Sequence, residues 1–233
     1  MPTPDKARAV VFDLDDTLFP ERMYVRSGYR AVAAAVAPRP DAPPAETLEH
    51  WLWQRFLRGE AAGAFDALSA EFRLDLSQAD VAGLVEAYRT HRPGLHPYPG
   101  MPALLGKLHG RYRLGLLSDG YLPAQQLKLD AVGLERFFDE VVFTEALGRD
   151  CWKPSPAGFE AARERLDVPH TACAYVADNP AKDFVAGNRL GWRTIRFRRP
   201  GQVHAANPPA AGGEPRFVAR DPGEIYEALL AAV

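Results

Sequence analysis

The sequence contains few of the features that would assign a protein to a special class. Only two cysteines, Cys151 and Cys173, occur in 233 residues; they are too few for a disulfide framework, and their spacing suits no zinc site. No apolar run approaches the roughly 18 residues that span a bilayer. The first nine residues lack the apolar segment of a signal peptide. We therefore expect a soluble, cytoplasmic protein.

An excess of charge of one sign is also missing. The formal net charge is −2, which gives no general reason to expect a nucleic acid or a membrane as partner. A small molecule is the expected partner, and the chain is expected to be a monomer or a homodimer. Lysine is scarce, since only five of the 28 basic residues are lysines. A lysine beside chemically active residues is therefore more informative than usual.

Short apolar runs alternate with helical patterns in most of the chain. Candidate strands are residues 9–14, 113–118, 140–144, 172–177 and 193–197. The first four are expected to be central strands buried on both faces, and the fifth an edge strand whose charges face water. Helices are expected at 102–110, 123–134, 156–166 and 179–191, with a closing helix from Gly223. The alternation predicts right-handed βαβ units and an α/β fold, a doubly wound parallel sheet.

This alternation stops between about residues 20 and 97. Only helical patterns occur there, at 21–37, 45–58, 61–73 and 78–91, and Ser77 with Asp80 is a candidate capping box for the last of them. We therefore predict an α/β core domain of residues 1–19 and 98–233 and an inserted all-helical domain of residues 20–97. Residues 200–215 are rich in proline, glycine and alanine and are expected to form a long loop.

Polar residues follow four of the predicted strands. They are Asp13-Leu14-Asp15-Asp16-Thr17, Ser118-Asp119-Gly120, Lys153, and Asp178 with Asp183. Each group by itself has an ordinary explanation as a turn, a helix cap or a surface lysine. Because the carboxyl ends of parallel strands meet at one edge of the sheet, however, the predicted topology brings all four groups together.

Three carboxylates in one pocket would repel one another. Each like-charge pair among Asp13, Asp15 and Asp178 costs about 4 kcal/mol at roughly 4 Å and an effective dielectric constant near 20. A hard divalent cation relieves this repulsion, and Mg²⁺ binds carboxylate and water oxygens. With the Lys153 ammonium and the Ser118 hydroxyl nearby, the pocket suits a tetrahedral dianion such as a phosphoryl group.

The two acids after the first strand can take different roles. An aspartate can attack phosphorus and form an acyl phosphate. Residues i and i+2 at the end of an extended strand point to the same side. Asp13 can therefore attack while Asp15 protonates the leaving oxygen and then activates water. Ser118 and the backbone N–H groups of Asp119 and Gly120 would hold the phosphoryl oxygens.

These four groups, in this order, resemble the motifs of the haloacid dehalogenase superfamily of phosphohydrolases. The D-x-D-x-T motif matches residues 13–17, the serine and lysine motifs match Ser118 and Lys153, and G-D-x-x-x-x-D matches Asp178 to Asp183, with Ala177 where glycine is usual. The resemblance covers about residues 8–200. It implies a Rossmann-like core with strand order 3-2-1-4-5, Mg²⁺ as cofactor, and a helical C1 cap inserted after the first motif.

The resemblance also implies roles for individual residues. Asp13 would be the nucleophile and Asp15 the general acid and base, while Ser118 and Lys153 would bind the phosphoryl group. Asp13, the carbonyl of Asp15 and Asp178 would ligate the metal, and Asp183 would help directly or through water.

Three neighbouring features receive separate interpretations. Asp16 is expected to be a solvated turn residue, and Thr17 could tie the turn to the phosphate site. Arg22, Arg26 and Arg30 lie four residues apart, on one helical face. This face is either a solvated cationic surface or, at Arg22 and Arg26, a binding site for a second anionic group of the substrate.

The sequence therefore predicts a Mg²⁺-dependent phosphatase that hydrolyses a small phosphomonoester through an aspartyl-phosphate. The resemblance implies that true haloalkanoate dehalogenases lack an acid at position 15 and need no metal, so Asp15 favours phosphate chemistry. A sugar-phosphate mutase uses the same acid pair and stays an alternative. A receiver-like or idle phosphate-binding protein would use the same pocket, but receivers are smaller and have no helical insert.

Overall fold

The computed structural model describes residues 7–231. In that range the strands are β1 Ala9–Phe12, β2 Arg113–Ser118, β3 Glu140–Phe143, β4 Cys173–Ala177, β5 Arg193–Phe197 and β6 Phe217–Ala219. The α-helices are α1 Glu21–Val36, α2 Ala45–Leu57, α3 Ala64–Phe72, α4 Gln78–Thr90, α5 Met101–Leu108, α6 Ala124–Val132, α7 Ala157–Leu166, α8 Asp183–Arg189 and α9 Pro222–Leu230. The last two residues of the predicted closing helix lie outside the described range.

The strands form one parallel sheet in the order β3-β2-β1-β4-β5-β6. This confirms the predicted fold class, a doubly wound α/β sheet, and the strand order 3-2-1-4-5. The central strand β1 is the apolar run Ala-Val-Val-Phe, and all four of its residues are buried. The sixth strand was not predicted, because three residues of moderate hydrophobicity give no periodic signal.

Two predictions about the sheet edges are wrong. β3 was expected to be buried on both faces, but it pairs only with β2, and three of its four residues are only partly buried. β5 was expected to be an edge strand, but it lies between β4 and β6. All five residues of β5 are buried, because β6 pairs along one edge of the strand and helices α8 and α9 pack against it.

The two arginines of β5 satisfy backbone carbonyls rather than facing water. Arg193 is 8% exposed and donates hydrogen bonds of 2.7 Å to the carbonyls of Ala228 and Ala231, at the C-terminal end of α9. Arg196 is 9% exposed and donates from Nε to the carbonyl of Asp178 at 3.0 Å. Both charges therefore satisfy helix-end and loop carbonyls that have no partner within their own element.

Replacing Arg193 should destabilise the fold, because buried carbonyl groups would lose their hydrogen-bond donor. We expect Arg193→Met to lower the free energy of unfolding by about 1–3 kcal/mol, because buried carbonyls at the end of α9 lose their donor. Urea denaturation measures the change, and Arg198→Met, at an exposed position of the next loop, is the matched control. Equal midpoints for the two variants would contradict the assigned role of Arg193.

The chain divides into two compact units. One is the helical segment Arg22–Gly94, and the other comprises the residues before and after it. The helical unit has its own core, which includes Val32, Leu52 and Leu68. Gly28 in α1 admits the Tyr88 ring, since a Cβ at this position would lie 2.4 Å from Tyr88 Cε2. The assignment of this unit as a cap domain stays a prediction from the resemblance.

Two smaller predictions also have an outcome. The capping box at the start of α4 is confirmed, with the Ser77 side chain accepting from the Asp80 N–H and the Asp80 side chain from the Ser77 N–H. Cys173 is a core residue as expected, at 1% exposure. Among residues 7–231 there is no helix with the length and apolar character needed to cross a membrane.

Candidate active site

The parallel sheet brings three of the predicted site residues to one edge. Phe12 at the end of β1 lies opposite Leu116 of β2 and Val176 of β4. The Asp13 N–H donates to the Val176 carbonyl at 2.9 Å, so the pairing continues one residue beyond β1. Asp13, Ser118 and Asp178 consequently leave neighbouring strands at the same carboxyl edge, and each is at most 6% exposed.

Lys153 lies between two carboxylates of this edge. Its Nζ is 2.6 Å from Asp13 Oδ1 and 2.8 Å from Asp183 Oδ1, and it donates to the Tyr175 hydroxyl at 2.9 Å. The side chain is 1% exposed. Burial alone would lower the pKa of Lys153, but Asp13 and Asp183 raise this pKa well above its usual value. The buried ammonium is therefore charged and serves both acids.

The carboxylates at this edge outnumber the buried ammonium. Burial raises the pKa of Asp13 to about 7 even though the Lys153 charge lowers it, and Asp183 raises it further. Burial, followed by the charges of Asp183 and Asp13, raises the pKa of Asp178 well above its usual value. The carboxyl groups of Asp13, Asp178 and Asp183 thus disfavour one another's charged forms, and Asp178 Oδ2 is buried and left without a donor from residues 7–231.

This donor set fits a hard divalent cation. Within residues 7–231, no group of three or more His, Cys, Asp or Glu side chains is arranged to hold a metal ion. The predicted site needs fewer side chains, because Asp15 would contribute its backbone carbonyl beside the carboxylates of Asp13 and Asp178. The unpartnered Oδ2 of Asp178 and an oxygen-only donor set match the preference of Mg²⁺.

Asp183 is engaged by the protein through both carboxylate oxygens. Its Oδ2 accepts from the Asn179 N–H at 2.9 Å, and its Oδ1 lies 2.8 Å from the Lys153 ammonium. Asp183 Oδ1 makes no hydrogen bond to the described residues despite the short ion pair, so the two roles that the resemblance leaves open for Asp183, directly on the metal or through water, stay predictions.

Asp15 is held by two residues that sequence reasoning missed. The Lys128 ammonium lies 2.9 Å from both carboxylate oxygens of Asp15, and Gln125 Nε2 donates to Oδ2 at 2.9 Å. Gln125 and Lys128 are three residues apart in α6, the helix that follows Ser118. This i, i+3 spacing, together with the scarcity of lysine, was the available signal.

The turn after β2 is held by groups from other segments of the chain, which contact its Asp119 carboxylate. The Asp119 carboxylate accepts from Thr144 Oγ1 and from Lys182 Nζ, both at 2.9 Å, and from the Lys153 N–H at 3.2 Å. Although burial would raise it, the charges of Lys153 and Lys182 lower the pKa of Asp119. With this carboxylate occupied, the predicted phosphate contact of Asp119 would be made through its backbone N–H. Thr144 and Lys182 also escaped the sequence analysis.

The prediction that Asp16 is a solvated turn residue is wrong. Asp16 is 1% exposed and has a φ of 51°, in the left-handed region that aspartate tolerates better than most residues. Its carboxylate accepts hydrogen bonds from the N–H groups of Glu21 at 2.8 Å and Val203 at 2.6 Å and from the Tyr98 hydroxyl at 3.2 Å. Gln202 donates to the Asp16 carbonyl at 2.6 Å. The loop of residues 200–215 therefore fastens onto this turn, a long-range contact that local sequence does not encode.

The remaining predicted residues have mixed surroundings. Thr17 is fully buried, and its Oγ1 has no hydrogen-bond partner among the described residues. In α1, Arg26 Nε lies 3.4 Å from Glu49 Oε1 and Arg30 Nε 3.2 Å from Glu49 Oε2, while Arg22 Nε is buried without a hydrogen-bond partner in the described part of the chain. A role of Arg22 and Arg26 in substrate recognition stays a prediction.

Comparison with known proteins shows the family to which the chain belongs. Residues 7–191 match the haloacid dehalogenase-like hydrolase family, and the chain belongs to this family of hydrolases. It is 31% identical over 228 residues to the glyceraldehyde 3-phosphate phosphatase of Methanopyrus kandleri, covering 95% of this chain and 97% of that one. It is 33% identical over 203 residues to the phosphoserine phosphatase of Thermus thermophilus, covering 81% and 80%.

A solved structure supports the same fold. YfnB from Bacillus subtilis, in a crystal structure bound to magnesium, superimposes with a TM-score of 0.69 at 21% identity and covers 97% of this chain and 100% of that one. The Rossmann-like arrangement expected from the sequence is therefore the fold of that structure as well.

Proposed function

We propose that this protein is a Mg²⁺-dependent phosphatase that hydrolyses a small phosphomonoester through an aspartyl-phosphate on Asp13. The observation that carries the proposal is the buried ion pair of 2.6 Å between Lys153 and Asp13 at the carboxyl edge of the sheet, with Asp15 two residues further on. The relatives named phosphatases at 31% and 33% identity support the same reaction class. The substrates in those names, a triose phosphate and a phosphorylated amino acid, suggest a small phosphorylated metabolite.

In the first half-reaction, an Asp13 carboxylate oxygen attacks phosphorus. Lys153 holds Oδ1, while Oδ2 accepts no hydrogen bond from the residues the structure describes. As the new O–P bond forms, the bond from phosphorus to the substrate oxygen breaks, and Asp15 donates its proton to that leaving oxygen. Ser118 and the N–H groups of Asp119 and Gly120 would bind the phosphoryl oxygens.

In the second half-reaction, water attacks the phosphorus of the acyl phosphate. Asp15, now a carboxylate, accepts the proton of the attacking water. The bond between phosphorus and Asp13 breaks, which releases inorganic phosphate and restores the Asp13 carboxylate. Lys153 stays beside Asp13 through both steps, since it is fixed by Asp183 and Tyr175 as well.

Asp13, Asp178 and the backbone carbonyl of Asp15 would bind the Mg²⁺, and Asp183 would help directly or through water. When bound, the cation neutralises charge on the carboxylates and on the phosphoryl oxygens. The unpartnered Asp178 Oδ2 supports this assignment. The protein's own contribution is a buried set of carboxylates in which Asp178 Oδ2 accepts no hydrogen bond from the described residues.

The family name also denotes cleavage of carbon–halogen bonds. The presence of Asp15 argues against that reaction for this protein. A halide leaving group needs no proton, whereas an alkoxide does, so protonation of the leaving group by an acid at position 15 is useful only in phosphate chemistry. Lys128 and Gln125 hold this acid at the pocket. We therefore assign phosphate ester hydrolysis rather than dehalogenation.

Removal of metal tests the proposal. The purified protein is assayed against a panel of phosphorylated metabolites and p-nitrophenyl phosphate; we expect phosphate release with Mg²⁺, none after chelation, and full recovery when Mg²⁺ returns. Independently of activity, Mg²⁺ at 100 times its Kd should stabilise the wild type by about 2.7 kcal/mol. Asp178→Asn should lose this stabilisation, since it lacks one ligand charge.

The matched control is Asp66→Asn, at an exposed position in α3, which should keep both the activity and the response to Mg²⁺. Phosphate release that survives chelation would overturn the metal dependence. Conversion of a sugar phosphate into an isomer without phosphate release would identify the mutase instead, and binding of phosphate without turnover would identify the idle pocket.

A further inference from the structure

Helix α6 presents two side chains to the predicted acid and base, Asp15. Gln125 and Lys128 lie three residues apart and therefore on one face of the helix. Lys128 reaches both oxygens of the Asp15 carboxylate at 2.9 Å, and Gln125 Nε2 reaches Oδ2 at 2.9 Å. The Lys128 side chain is 8% exposed and that of Asp15 19%. This contact is largely removed from solvent, unlike an ordinary surface ion pair.

Gln125 also joins Asp15 to the predicted phosphate-binding turn. Its Nε2 lies 3.0 Å from Ser118 Oγ and contacts the Asp119 carbonyl. Gly120 makes room for it: a Cβ there would lie 2.6 Å from Gln125 Nε2, and the φ of 135° disfavours any other residue. The residue is 1% exposed. One buried amide thus ties the motif after β1 to the motif after β2.

We propose that Lys128 and Gln125 are positioning residues that hold the Asp15 carboxyl group at the reacting oxygen. This inference rests on the proposed function, in which Asp15 gives a proton to the leaving oxygen and then takes one from water. Lys128 and Gln125 transfer no proton themselves. A general acid contributes only when it is within hydrogen-bond reach of the atom that it protonates. Displacement of Asp15 should therefore slow hydrolysis most for substrates whose leaving oxygen needs a proton.

The dependence of the rate on the leaving group distinguishes a positioning role of Lys128 from a merely structural one, because a structural defect would slow all substrates alike. p-Nitrophenolate is a weak base and departs with little protonation, whereas the alkoxide from glycerol 2-phosphate needs a proton. The value of kcat/KM reports the steps through the first P–O cleavage. We expect Lys128→Met to lower kcat/KM about 30-fold or more for glycerol 2-phosphate but less than about threefold for p-nitrophenyl phosphate, within the range that general acids contribute.

Three further variants complete the experiment. Lys128→Arg, which keeps the charge, should recover most of the activity on glycerol 2-phosphate, and Lys107→Met, at an exposed position in α5, should behave as the wild type. Asp15→Asn should lose activity on the alkyl phosphate by about 10²-fold or more. Adding Lys128→Met to Asp15→Asn should then change little, because both act through one carboxyl group.

The possible outcomes distinguish failure of the proposed function from failure of the positioning role of Lys128 and Gln125. A wild type that hydrolyses neither ester refutes the proposed function. An active wild type whose Lys128→Met variant loses both esters equally, or loses neither, refutes the positioning role. Should Lys128→Met fail to fold, Lys128→Gln is compared in the same way; if neither folds, Lys128 is a structural residue and the inference is overturned.

Discussion

Asp13→Asn is expected to lower phosphatase turnover by more than about 10⁴-fold, the order of loss seen when a covalent nucleophile is removed. The amide oxygen is a poor nucleophile, and Asp183, the second carboxylate beside Lys153, also accepts from the Asn179 N–H and is not proposed to attack phosphorus. Steady-state assays with p-nitrophenyl phosphate and Mg²⁺ measure the loss. Rapid acid quenching with a labelled phosphoester should trap a phosphoenzyme in the wild type and none in the variant.

The fold should survive this change. Asparagine has the size of aspartate, and a neutral side chain relieves part of the repulsion that raises the pKa values of Asp13 and Asp178. Asp66→Asn is the control for an exposed aspartate, with unchanged turnover expected. Full activity of Asp13→Asn, or a phosphoenzyme trapped in that variant, would refute the assignment of the nucleophile.

Lys153→Met should have the largest effect on stability. The lysine side chain is 1% exposed and lies 2.6 Å from Asp13 and 2.8 Å from Asp183. Methionine fills a similar volume but leaves two buried carboxylates without their counter-charge. Breaking a buried ion pair by removing one partner costs about 3–5 kcal/mol, which urea denaturation measures in the presence of a chelator. Turnover should be lost as well, since the phosphoryl group loses its buried cation.

A second substitution tests the electrostatic cause. Asp13→Asn in the Lys153→Met background removes one of the uncompensated charges and should restore part of the lost stability, although not the activity. Lys107→Met controls for the loss of an exposed lysine, and we expect it to lower stability by no more than about 1 kcal/mol, the value of an exposed cation–π contact such as the one that Lys107 makes with the Tyr226 ring at 3.4 Å. If the double variant were no more stable than Lys153→Met, packing rather than charge would explain the loss.

Local sequence was sufficient to predict the strands whose carboxyl ends carry the candidate site residues. The four-residue apolar strand β1 ends directly at Asp13, and β2 and β4 end in the same way at Ser118 and Asp178. Burial of a parallel strand on both faces demands such continuous apolar runs, and the polar residues that follow must lie at the exposed carboxyl edge. The parallel sheet, the helical insert and the candidate residues could therefore be predicted from these patterns, whereas the strand order came from the resemblance to a known family.

Contacts between distant segments could not be predicted. Asp16 is buried because Val203 and Tyr98 reach it from positions 187 and 82 residues away, and its own neighbours in sequence are those of an ordinary turn. β5 is internal because three residues of β6 pair with it. Lys182 and Thr144 meet at Asp119 from separate loops. None of these contacts leaves a period or a motif in the sequence.

By itself, the sequence predicted a parallel α/β sheet with an acid two residues beyond the first aspartate. It also predicted that one edge of this sheet brings together four residues, Asp13, Ser118, Lys153 and Asp178. Only the tertiary structure decided which groups hold that acid, that Asp183 is the second carboxylate beside Lys153, and which oxygen of Asp178 has no partner among the described residues. The difference is physical: strand and helix patterns arise from burial periodicity along the chain, whereas side-chain pairing depends on where loops and helix faces come to lie after folding.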